Sequence, residues 1–230
     1  MIGDSARTGP RLERRRRLLA LARDQGGVFD DAQAAECGFD ARARSYHRRA
    51  GNWLPTVAPG VWQLAEWTAG EHADAVAWAC WFGPDFQATS WTALELHGID
   101  LGDLRATSDD TAVPTDIALR RPVSAWRADQ RRARRATFDA VRSGGRIVLH
   151  AAPRDDVAAE RRDGIAVRPL AEALCIAVCR RRGATADVPR ETAGRLLDRV
   201  VQPAAITASD LRWYALAMGA ARVLDLLEER

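Results

Sequence analysis

Two hundred and thirty residues, 47% hydrophobic and 28% charged with a net charge of +3, suffice for two small domains with cores of their own. All 34 basic residues are arginine, which excludes chemistry that needs a lysine: a phosphate-loop lysine, a Schiff base, or the usual lysine of a restriction-type nuclease core. Apolar runs are short and broken by charge, the longest around Ala75 to Phe82, so neither a spanning helix nor a signal-peptide core is expected and the chain reads as cytoplasmic.

Met1 to Pro10 reads as a loose polar tail. Arg11 to Gln25 places Leu12, Leu18, Leu21 and Ala22 near one helical face with Arg14 to Arg17 over the others, and Gly26-Gly27 ends that helix. Asp30 or Asp31 caps a short helix, Ala32 to Cys37, stopped by Gly38; Asp40 caps the next, Ala41 to Ala50, stopped by Gly51. Trp53, Leu54, Val57, Val61, Trp62 and Leu64 form two short strands about a turn at Ala58-Pro59-Gly60. A helix, two short helices and a hairpin, in that order, predict a winged helix-turn-helix whose wing is the hairpin.

Glu71 to Phe82 and Ala88 to His97 are further helix candidates, closed by Gly83-Pro84 and by Gly98. Beyond Asp109-Asp110 the pattern turns to strands: Ala112 to Leu119, Arg146 to Ala151 and Ile165 to Arg168. Ser124 to Ser143 reads as a basic helix or as a mobile arginine-rich insertion. Leu170 to Arg182, Arg190 to Val201 and Ala208 to Leu227 are helical, the last open to a break at Gly219. The change from wing composition to an acidic helical stretch near Trp67 to Gly70 separates a first domain over 11–66 from a second over 71–230. The fold class is α+β: a winged helix-turn-helix, then a mixed domain with a small sheet and helices.

Positive charge is unevenly laid out. Residues 1–49 hold 11 arginines against seven acids, 50–104 none against seven, 105–182 seventeen against ten, and 183–230 six against seven. A polyanion would therefore meet particular faces rather than the whole molecule. On the third helix Ala43, Tyr46, His47 and Ala50 are expected to face inward, leaving Arg42, Arg44, Ser45, Arg48 and Arg49 outward. An arginine fork matches both phosphate oxygens and the guanine O6/N7 edge, so this helix suits a DNA major groove. Asn52 and Thr56 complete the candidate DNA-contacting set.

Arg14 to Arg17 read equally as phosphate contacts at the edge of a site or as solubilising charge. Arg120 to Arg146, around Trp126 and Phe138, is either a surface for nucleic acid or an acidic partner, or an insertion. Cys37, Cys80, Cys175 and Cys179 lack Cys-x-x-Cys spacing and read as reduced, buried thiols; no metal and no cofactor are expected. His97 reads as a helix-end histidine bonding to backbone. Most of the eight tryptophans belong in cores. No serine elbow, phosphate loop or dinucleotide fingerprint is present, and the carboxylate pairs stand at caps, turns or the terminus, so no enzymatic activity is expected.

Gly26-Gly27-Val28, Gly38-Phe39-Asp40, Gly51 and Gly60-Val61-Trp62 occur in the order and spacing of the N-terminal domain of the AbiEi family of type IV antitoxins, which this segment resembles. Downstream, Ala88 to Leu94 with Leu96-His97-Gly98-Ile99 looks like that family's Ser-x-x-Ala helix ending in Leu-His-Gly. Asp155-Asp156-Val157 and Gly164-Ile165-Ala166-Val167 look like its strand before the C-terminal helices. One departure is Thr56, where the family's wing often carries an arginine. The resemblance implies an autorepressor that binds an inverted repeat in its own promoter as two or more copies. It also implies that the second domain counteracts, directly or indirectly, a nucleotidyltransferase-like toxin encoded beside it. The alternative is a stand-alone winged-helix transcription regulator with a sensing or dimerisation domain.

Overall fold

Pro10 occupies the first turn of helix α1 (Pro10–Asp24), where its missing N–H costs nothing. The computed structural model describes residues 9–105, 115–144, 146–150, 158–162, 164–179, 188–201 and 206–229. Asp109-Asp110 and Asp155-Asp156-Val157 lie outside the described residues. Two units meet between Gly83 and Pro84.

In the first unit α1 is followed by β1 (Val28–Asp30), α2 (Asp31–Glu36), α3 (Ala41–Arg49), β2 (Trp53–Pro55), β3 (Val61–Leu64) and α4 (Ala73–Phe82). Asp30 begins α2 with a reciprocal cap: its carboxylate accepts from the Gln33 N–H at 2.8 Å, and its own N–H donates to the Gln33 side chain at 2.9 Å. Asp40 caps α3 by accepting the Ala43 N–H at 2.7 Å. The three strands form an antiparallel sheet in the order β1-β3-β2, with Phe29 opposite Trp62 and Trp53 opposite Leu64.

Leu18 and Ala22 of α1, Phe29, Ala34, Phe39, Trp53 and Leu64 close one core. Trp53 is its centre, meeting Phe29 edge-on at 4.8 Å and Phe39 at 5.2 Å. The Gly26-Gly27 break has a packing cause as well as a conformational one. A Cβ on Gly27, at φ +89°, would stand 2.2 Å from the Trp67 ring. Helix α4 packs on β1 and β3, so this helix, assigned from composition to the second domain, belongs with the first unit.

The second unit contains β4 (Phe86–Ala88), α5 (Ser90–Leu96), α6 (Gly102–Arg105), β5 (Thr115–Leu119), α7 (Val123–Asp129), α8 (Arg132–Ser143) and β6 (Ile147–Leu149). It continues through β7 (Glu160–Arg162), β8 (Ile165–Val167), α9 (Leu170–Val178), α10 (Arg190–Val201), α11 (Ala208–Met218) and α12 (Ala221–Glu228). Its mixed five-stranded sheet runs β6-β5-β4-β8-β7, with β5–β6 and β4–β8 parallel and the other pairs antiparallel. Helices α5 and α9 pack on each other, and α11 and α12 pack on α9.

A polar knot lies inside this unit. Arg168, 1% exposed, donates to Glu172 at 2.6 Å and to the Gln87 side chain at 3.4 Å, while His97 Nε2 donates to the Arg168 carbonyl at 2.9 Å. The arginine-rich segment resolves into α7 and α8, whose Trp126 and Phe138 are buried against each other at 5.0 Å, and so is not an insertion. Gly219, at φ +64°, separates α11 from α12. No helix among the described residues is long and apolar enough to cross a membrane.

Candidate nucleic-acid interface

Helix α3 buries none of its side chains fully. Ala43, Arg44, His47 and Arg48 are half-buried; Arg42, Ser45, Tyr46 and Arg49 are exposed. The exposed set follows the i, i+3, i+4, i+7 spacing of one helix face, and the half-buried set, at i, i+1, i+4 and i+5, fills the opposite one. The inward stripe is therefore rotated from the expected one. Tyr46, placed inward by its aromatic character, is 61% exposed and stands between the two outward arginines.

Two of the four predicted arginines tie α3 to neighbouring segments. Arg44 Nη1 donates to the Phe39 carbonyl at 2.7 Å, holding the turn that leads into its own helix. Arg48 bonds Asp31 at the start of α2 and lies over the Trp62 ring at 4.3 Å, and the Trp62 indole N–H donates to the same Asp31 oxygen at 3.1 Å. These contacts set the angle between α2, α3 and the sheet. The aliphatic stems of both arginines supply the apolar cover that a helix this polar otherwise lacks. Arg42 has no carboxylate within ion-pair reach among the described residues, and the Arg49 guanidinium bonds only the Ser45 carbonyl one turn back, at 3.4 Å.

Of the other three predicted contacts, Ser45 lies on the exposed face and Asn52 and Thr56 are bonded within the scaffold. The Asn52 amide donates to His47 Nδ1 at 3.2 Å. Burial, with the guanidinium groups of Arg14 and Arg15, pushes the His47 pKa down, which favours the neutral ring that can accept this bond. The Thr56 hydroxyl bonds the Ala58 and Val61 carbonyls at 3.2 and 3.1 Å and accepts the Ala58 N–H, so it organises the hairpin turn. No arginine occurs in this hairpin.

Beside α3 runs a groove of about 1100 Å³ between its inward edge and α1. Leu18, Phe39 and Trp53 form its floor; Arg11 and Arg14 stand on one wall and Arg42 on the other. Sequence periodicity alone does not single out Arg11 and Arg14 from their neighbours on α1, because choosing among them requires the position of α3. In the second unit, Arg121 bonds Asp85 and Asp129, and Arg127 bonds Asp139 at 2.7 Å, so part of the positive charge of the arginine-rich segment is neutralised within the fold.

Cys175 is buried, and desolvation, with Cys179 and Glu172 nearby, pushes its thiol pKa up to about 12. A thiol so placed is a poor nucleophile and a poor metal ligand at neutral pH. No family model and no curated protein matches this chain.

Proposed function

We propose that the chain is a winged-helix regulator that binds duplex DNA by seating α3 in the major groove. The observation that carries this reading is the outward stripe of α3: Arg42, Ser45, Tyr46 and Arg49 along one face, the two guanidinium groups without a carboxylate in ion-pair reach among the described residues. Behind them, Arg44 and Arg48 brace the helix against α2 and the sheet. The order helix, strand, two helices and hairpin, with α3 held outward by Asp40, Phe39 and Asp31, supports the same reading. Resemblance of the motifs from Gly26 to Ile99 to AbiEi antitoxins extends it. On that basis the chain represses its own promoter in the cytoplasm, two or more copies occupy an inverted repeat, and the second unit counteracts a nucleotidyltransferase-like toxin without catalysis.

The test is binding to the chain's own promoter, measured against salt. Arg42→Ala with Arg49→Ala is expected to weaken binding and to flatten the log affinity against log salt slope by about 0.9 for each lost phosphate contact, with about 1–3 kcal/mol lost for any arginine that reads a base. Arg44→Ala with Arg48→Ala is expected to lower thermal stability first. Equal slopes for wild type and the Arg42/Arg49 variant reject α3 as the contacting helix. Relief of toxin-induced growth arrest on co-expression with the adjacent open reading frame tests the antitoxin half.

A further inference from the structure

Four arginines face two carboxylates along the groove between α1 and α3, and both carboxylates are engaged. Glu66 pairs with Arg15 at 2.8 Å, and Asp40 accepts the Ala43 N–H. Arg11, Arg14 and Arg42 are left with no carboxylate within ion-pair reach among the described residues. Arg14 rests over the Phe39 ring at 5.1 Å, which fixes its stem and leaves its charge uncompensated. The first turn of α1 borders the groove and has no side-chain cap, so the positive end of that helix adds to the same potential. On the opposite wall the pKa of His47 is pushed down by burial first and by the Arg14 and Arg15 guanidinium groups second.

We infer that this groove takes the sugar-phosphate backbone of one strand of the duplex that α3 enters, with Arg11 and Arg14 of α1 clamping phosphates that α3 does not reach. The inference rests on the proposed DNA-binding reading and adds a second, sequence-independent contact to it. Two features favour a nucleic-acid backbone over an acidic protein. Arg42 and Tyr46 belong both to the outward stripe of α3 and to the groove wall, so a strand lying along that stripe passes the groove mouth. The cations stand on two facing helices rather than on one flat face, an arrangement suited to gripping a strand from both sides. Arg16 and Arg23 lie on the same helix and are exposed, but do not line the groove. They carry the same charge in the wrong place.

This difference supplies the experiment. Full-length chain, Arg11→Gln/Arg14→Gln and Arg16→Gln/Arg23→Gln are compared for binding to a promoter duplex and to a scrambled duplex over a salt series. The groove variant is expected to bind both duplexes about tenfold more weakly, to keep their affinity ratio within about twofold, and to lose about 1.8 from the salt slope; the control pair is expected to match wild type. Arg11→Gln alone, an exposed change, is expected to lose about 0.9 and guards against misfolding of the double variant. An unchanged slope in both groove variants overturns the inference, as does an equal loss in the control pair, which would report overall charge. A changed affinity ratio also overturns it, since backbone contacts carry no base preference. Failure of wild type to bind either duplex rejects the DNA-binding reading itself, a result distinct from all of these.

Discussion

At Asp31 one carboxylate oxygen serves both the Arg48 guanidinium and the Trp62 indole, and so joins α2, α3 and β3. Sequence periodicity places Arg48 on the outward charged face, whereas in the structure it is half-buried on the inward one. What periodicity cannot convey is that a carboxylate 17 positions away, beside an indole 14 positions further along, would claim the side chain. The bonds of Arg44 and Thr56 are hidden for a related reason: their acceptors are backbone carbonyls, which leave no trace in side-chain pattern. Burial pushes the pKa of both His47 and His97 down, the latter despite the bond from its Nε2 to the Arg168 carbonyl. The unfolded chain therefore binds protons more readily at these sites, and the stability present above the ordinary histidine value of about 6.5 is lost as the pH falls below it. The Asp74 carboxyl, pushed up by burial, acts with the opposite sign: the stability it contributes is lost as pH rises through its own range. The thermal midpoint is expected to drop between pH 7.5 and 5.5, and His47→Gln with His97→Gln to flatten that drop. An equally steep drop in the double variant would refute the assignment.

Helices were the legible elements. α1, α3, α4, α10 and the α11–α12 break at Gly219 fall within a few residues of their expected positions, because each combines an apolar period with a cap or a glycine stop. β1, β4 and β7 were not foreseen, since three residues are too few to display an alternation. The fold class survived these omissions, but the five-stranded order of the second unit could not be written down without β4 at its centre. The junction from β4 into α5 also holds strain. Ser90 has φ +52°, is fully buried, and its hydroxyl has no hydrogen-bond partner among the described residues, as is true of its neighbour Thr89. Replacing Ser90 by glycine relieves the left-handed backbone and removes a buried unpaired hydroxyl, and is expected to raise stability by about 1 kcal/mol in denaturant unfolding. A loss of stability would mean that the hydroxyl is satisfied within the fold.

Over the whole chain the boundary between units was the feature least visible beforehand. Composition changes near Trp67, yet the packing of α4 on β1 and β3 carries the first unit on to Gly83. Gly26 and Gly27 show why: Val76 and Trp67 lie against them, at 3.1 Å and 2.2 Å from where a Cβ would stand, and both side chains come from beyond the β2–β3 hairpin. A chain ending at Gly83 is therefore expected to unfold cooperatively, while one ending at Glu66 exposes the face of β1 and β3 that α4 covers and is expected to lose that cooperativity. Circular dichroism on heating separates the two, and equal cooperativity would return the boundary to Trp67. Charge and topology thus divide the molecule differently, since the acidic stretch 50–104 straddles both units. Helix α11 has one more consequence. Trp213 is 61% exposed beside the equally open Leu216, whereas Trp53, Trp78, Trp81, Trp91 and Trp126 are all buried. Its emission is expected toward the red edge of the spectrum and open to quenching by a small solute, which would give the second unit an optical gauge of its own. Any molecule that settles on that helix announces itself by a blue shift, with no label attached.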